Sequence, residues 1–315
     1  MTQYTFFSVL LFVSLLILCQ GTSAASSTDK VADGLSLLQE SLDNQEECEQ
    51  RIRAFDKIHT VISGVFYKKA KSLEEAGNTT ESQIALQEAE YHINIVKAAY
   101  DLGLLHFDDS AKLHNFYGEI IHDFFNQSNE AAKHWKRASQ LDPDFARAFC
   151  NFGMYACHTG MYSIGLDNMD TALRLEPDDV DLLYNMTQLY LLHPAHIMQI
   201  RQWPRNKVYN EAMKMSKKAV YLRPGDFEVL RDYALNFFTG EDFEIKVNWN
   251  DAVKAWQAAR SKAKTDAELF NTWLNEARAH KRNDNKEKTM ECLDAAQSIW
   301  PESSVVKQLI KDFRG

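Results

Sequence analysis

The chain has 315 residues, 45% of them hydrophobic, with 12 Gly and 6 Pro, enough length for two average domains or one long array. This apolar content excludes a chain that is disordered throughout, and the scarcity of Gly and Pro favours helix over tightly turned β-structure. A net charge of −9 excludes a general binder of phosphate backbones, so no nucleic-acid partner is expected.

The first element is an apolar run of 14 residues, Phe6 to Cys19. A bilayer span needs ~20 apolar residues and the core of a signal peptide ~7–15. Thr22, Ser23 and Ala24 then supply small residues for cleavage before Ala25. Residues 1–24 therefore read as a signal peptide, and the chain as exported, periplasmic or secreted. No Lys or Arg precedes the run, which leaves open an uncleaved anchor through residues 6–19 and membrane contact in that case alone. A lipid on Cys19 is a third reading, opposed by bulky Leu18.

Residues 25–110 come next. Ile52, Phe55, Val61, Ile62, Val65 and Phe66 predict a long helix ending near the sequence AGNTT. The capping pattern TESQ at Thr80 opens another, running through Ile95 and Ala99. One or two degenerate helix pairs are expected here.

From residue 111 the sequence repeats. Leu-x-Pro followed by an acid stands at Leu141 and Leu175, and near copies at Leu222 and Ile299. Pro143 and Pro177 are 34 residues apart, and Pro177 and Pro224 are 47 apart. In the unit ending at Pro177, Phe149, Phe152, Gly153 and Ala156 form one face of a first helix. Gly165, Met169 and Ala172 form one face of a second. Gly153 and Gly165 let the two approach, and Pro177 ends the second because the residue before a proline avoids the α region. This pattern resembles the tetratricopeptide repeat (TPR). Four looser copies complete a set of five units over residues 111–302, the fifth opening on a capping box, TDAE at Thr265. Val305, Val306, Leu309, Ile310 and Phe313 share a stripe in residues 303–315, which read as a closing helix.

The resemblance implies an all-α, right-handed α-solenoid of antiparallel helix pairs. It also implies a concave groove lined by the first helix of each unit. Its offsets place Asn115, Glu119, Met154 and Tyr184 there, with Cys150 and Cys157 beside them. Gln188, Arg231, Asn271 and Asn275 follow in the later units. Relatives that clamp a terminal carboxylate carry Lys and Asn at set offsets; only Asn275 matches, so that ligand is not expected. The extra length of units three and four falls in the turn between their helices, at about residues 193–206 and 239–250. Successive units project this turn on the same edge, so the two insertions should lie side by side. They carry Arg201, Trp203, Arg205 and Trp249, residue types enriched at binding hot spots. The other reading of each Trp is that it folds back over the open end of its own helix pair.

No phosphate loop, HExxH, GxSxG or nucleotide fingerprint occurs, so neither catalytic residues nor cofactors are expected. His193 and His196 read as loop residues rather than metal ligands, and no Cys/His spacing is of metal type. Cys48, Cys150, Cys157 and Cys292 read as buried thiols. The functional expectation is a non-catalytic scaffold outside the cytoplasm that binds a peptide or protein through the groove, the inserted loops, or both. The alternatives are an anchored structural scaffold and an enzyme subunit using His193, His196, Arg201, Arg205 and Glu241.

Overall fold

The structure, a computed structural model, describes residue 38 and residues 40–314. The expected signal peptide lies outside the described residues, as does the side chain of Phe313. From residue 45 the chain forms fourteen α-helices and one 3₁₀ turn, with no strand among the described residues. It divides into two compact units, residues 1–134 and 135–315.

The first unit is built on one long pair, α1 (Gln45–Glu75) and α2 (Thr79–His106). Asn44 caps α1 by accepting from the Glu47 backbone, and Glu46 and Glu47 place negative charge in its positive first turn. The helix stops at Ala76–Gly77, where Gly77 takes φ +80°. The capping pattern at Thr80 does not operate: α2 starts one residue earlier behind Asn78, which makes no side-chain cap bond. Cys48, Ile52, Val96, Ala99 and Tyr100 are buried along the pair. Each fully buried large apolar side chain contributes about 1.5–3 kcal/mol. Small residues allow polar stitching between the helices: Ser63 donates to the Ala89 carbonyl and Ser82 to that of Ala70, each at 2.9 Å. Buried Asp56 is satisfied by Tyr100 Oη at 2.8 Å, Thr60 Oγ1 at 3.0 Å and the Arg53 guanidinium. Next comes α3 (Ala111–Asp123), capped by Ser110 on the Leu113 backbone, and the start of α4 (Ser128–Leu141).

The second unit continues with the pair α5 (Ala146–His158) and α6 (Tyr162–Leu175). The two glycines meet as the spacing predicts: a Cβ on Gly153 would lie 2.9 Å from the Gly165 carbonyl, and one on Gly165 2.2 Å from Cys157 Sγ. Then come α7 (Val180–Leu192), the inserted α8 (Pro194–Arg201) and α9 (Arg205–Leu222). Pro194 opens α8, and Pro204 stands just before α9, so the insertion breaks into two helices as proline requires. A 3₁₀ turn (Phe238–Gly240) separates α10 (Phe227–Asn236) from α11 (Trp249–Arg260). The last pair is α12 (Asp266–Arg282), with the predicted capping box at Thr265 and Glu268, and α13 (Lys286–Ile299). α14 (Ser304–Arg314) buries Val306 against that pair. Phe149 and Phe152, expected in the core, are half-buried. None of Cys48, Cys150, Cys157 and Cys292 forms a disulfide, and all four are buried. No helix among the described residues is long and apolar enough to cross a membrane.

Candidate functional site

The two insertions touch, as successive units should. Arg205 donates to the Asp242 carbonyl at 3.0 Å, and Phe243 packs on Tyr209 with ring centroids 5.4 Å apart. Gly240 makes room: a Cβ there would sit 3.0 Å from Tyr209 Oη. The insertion residues are engaged within the fold. Arg201 reaches from α8 to Asp170 on α6 at 2.6 Å. Trp203 is half-buried against the core of α5 to α9, edge-on to Tyr190 at 6.2 Å, with the Lys207 ammonium 4.3 Å above its ring. Trp249 packs beside Phe238 at 5.7 Å under the Arg282 guanidinium, which is itself held by Glu241 at 2.7 Å. Both indoles thus follow the fold-back arrangement. His193 and His196 hold Tyr162 between them, the first by a hydrogen bond of 3.1 Å to its hydroxyl, the second stacked at 3.9 Å.

The first-helix positions divide by environment. Tyr184 on α7 is 44% exposed and faces the charged group Glu228, Arg231 and Asp232 on α10. Arg231 is tied to both of those acids. Gln188 and Glu119 are half-buried, and Met154 packs against the core of its unit. Asn271 is exposed, and Asn275 donates to the Asn271 carbonyl while accepting from Arg278. Asn115 corrects the offset reading: it is fully buried, its amide donating to Glu119 at 3.0 Å. A helix inside an array is packed from more than one flank, so an offset alone does not make a position open.

One opening lies where the repeat offsets did not point. In the first unit, α1 and α3 enclose a groove of about 530 Å³. Ile58, Leu113 and Phe116 give it an apolar lining, and Arg53, Lys57 and Lys112 line it with positive charge. The Arg53 guanidinium lies 3.8 Å over the Phe116 ring while pairing with Asp56. Lys112 pairs with Glu49 at 3.0 Å. Burial opposes ionisation of Glu49, but hydrogen bonds from Gln45, Ser110 and Lys112 hold its carboxyl below the usual range. Lys57 is exposed and has no acidic partner among the described residues, so its positive charge stays open to the groove. The sequence signal was present as Arg53 and Lys57 one turn apart, but nothing in it placed Phe116 opposite.

A second group missed by spacing is polar and buried. Glu276 and His280 lie one turn apart on α12, and Cys292 faces them from α13; their ligand-type atoms all lie within 4.8 Å of one another. Arg260 pairs with Glu276 and stacks 3.4 Å from the Trp273 ring. Burial pushes the Cys292 thiol up to about 11, against a smaller pull downward from Arg260.

No protein-family model matches the chain, and no curated protein sequence does. Solved structures do. The C-terminal part of a TPR repeat-containing protein from Cytophaga hutchinsonii superposes with a TM-score of 0.53 at 14% identity, over 87% of this chain and 98% of its own. YrrB, described as a TPR protein with an unusual peptide-binding site, gives 0.51 at 19% identity, over 68% of this chain and 99% of its own. The fold is that of TPR arrays. At these identities the likeness reaches the all-α solenoid of helix pairs and stops there.

Proposed function

We propose that the chain is a non-catalytic TPR-type scaffold that holds an extended segment of a protein partner against first-helix surfaces. The observation that carries this is the groove between α1 and α3. An apolar lining with Phe116 and three cationic side chains, of which Lys57 has no acidic partner among the described residues, suit an unstructured segment that presents an apolar side chain next to an acidic one. The indoles of the insertions, being packed against their own helix pairs, act as parts of the frame in this reading. YrrB, by its description, binds a peptide, which agrees with the reading at the level of ligand class. Export follows from residues 1–24, whose pattern is that of a signal peptide.

Selection of the full mature chain against a display library of unstructured peptides tests the proposal. Enrichment of acidic residues beside an apolar one, lost in Lys57→Glu, is the expected outcome. Enrichment unchanged in that variant, or none at all, contradicts it. Mass spectrometry of the mature N-terminus tests export: a chain beginning at Ala25 supports it, and a retained Met1 overturns the cleaved form.

A further inference from the structure

We propose that Glu276, His280 and Cys292 form a binding site for a single divalent transition-metal ion of the zinc class, joining α12 to α13. The donor set is one carboxylate, one imidazole and one thiolate, all of which zinc accepts. Glu276 and His280, one turn apart, share a face of α12. Cys292, on α13, closes the group from the other side. All three are buried, at 2%, 8% and 3% exposure. Glu276 Oε1 and His280 Nε2 are 3.7 Å apart, too far for a hydrogen bond. Metal–ligand bonds of about 2.0–2.3 Å give tetrahedral edges of roughly 3.3–3.6 Å, so little movement would bring the pair onto one ion.

A second observation points the same way. His280 Nδ1 is buried without a hydrogen-bond partner. Nε2 makes no hydrogen bond among the described residues either, so the ring has no bond to break on turning a nitrogen to an ion, and ligation through Nδ1 would satisfy the orphan outright. The two oxygens of Glu276 are already differentiated: Oε2 meets Arg260, while Oε1 accepts from Gln257 at 2.9 Å and faces His280. Oε1 would hold the metal and Oε2 would keep Arg260, which is the usual outer support of a ligating carboxylate. Cys292 ligates as the thiolate, so binding displaces its proton from sulfur to solvent, one per ion.

Cobalt(II) serves as the probe, titrated into the chelator-treated full chain. The site predicts one Co(II) per chain, thiolate-to-cobalt charge-transfer absorption, about one proton released per ion, and displacement by zinc. Cys292→Ser should abolish the charge-transfer band with the helical circular dichroism unchanged. His280→Gln should weaken binding at least ~10-fold while keeping the band at saturation. Cys157→Ser, a buried thiol outside the group, should change neither. If Cys292→Ser fails to fold, the His280→Gln and Cys157→Ser pair decides. No absorption from folded wild-type protein, or absorption lost in Cys157→Ser and kept in Cys292→Ser or unweakened in His280→Gln, overturns the proposal and leaves the group as a buried Arg260–Glu276 ion pair with its neighbours.

Discussion

His59 and His92 touch between α1 and α2, Nδ1 to Nδ1 at 2.8 Å. One ring must donate and the other accept, so the pair cannot be doubly protonated. Burial and then the neighbouring His92 lower His59 to about 4, and burial also lowers His92. Both shifts fall below the ordinary value near 6.5, so the unfolded chain binds the protons that the folded pair refuses. Stability is therefore full above pH ~6.5 and falls as the pH drops toward 4. Thermal midpoints measured across that window should fall less steeply for His92→Gln than for the wild type; an equal slope would show that the pair does not contribute. Trp203 makes a second prediction at this scale. Half-buried against the core, it should lower stability by about 1–3 kcal/mol when changed to Ala, less than a fully buried Trp would. An unchanged denaturation midpoint would mean that the indole is not held. The residues of the insertions were legible in the sequence as types but not as environments. Only the three-dimensional neighbours Asp170, Tyr190 and Arg282 reveal that Arg201, Trp203 and Trp249 are engaged. His280 was harder still, since its partners stand four residues away on one side and twelve on the other.

Helix pairs were the most readable level, because their code is local. Gly153, Gly165 and Ala172 stand at a spacing that close-packed antiparallel helices need, and the structure places them at that contact, with Pro177 exposed in the turn just past the end of α6. Ala172 is fully buried where α6 meets its neighbours. Ala172→Leu should overpack this contact and cost about 1–3 kcal/mol, measured as a lower denaturation midpoint; tolerance of the substitution would contradict the assigned register. Gly165→Ala at the same contact should also lower the midpoint, since its new methyl would meet both Cys157 Sγ and the Gly153 carbonyl. The insertions were legible as excess length with proline breaks, and α8 between Pro194 and Pro204 fits that reading. The α1–α2 pair lacks the signature altogether. Its length and its serine-to-carbonyl stitching come from a different solution to the same packing problem, one with no fixed spacing to find.

At the scale of the whole molecule, the array was legible because a repeat announces itself, while the groove was not. The groove arises from α1, which carries no repeat offsets, and α3, whose offset register fails at Asn115. Its lining is a juxtaposition of positions far apart in sequence, such as Arg53 and Phe116, 63 residues apart. The account's central claim is that partner binding belongs to the first-helix groove and that the insertions frame the array. The measurement that tests it most directly is the affinity of a library-selected acidic peptide for the full mature chain and for two variants, each normalised to folded protein. The account predicts that Lys57→Glu weakens binding by at least ~10-fold, about 1.4 kcal/mol, with an unchanged denaturation midpoint. It predicts that Trp203→Ala lowers the midpoint and leaves the affinity of the folded fraction within about twofold. Binding that survives Lys57→Glu and is lost in folded Trp203→Ala would contradict it, and would move the partner site to the insertions.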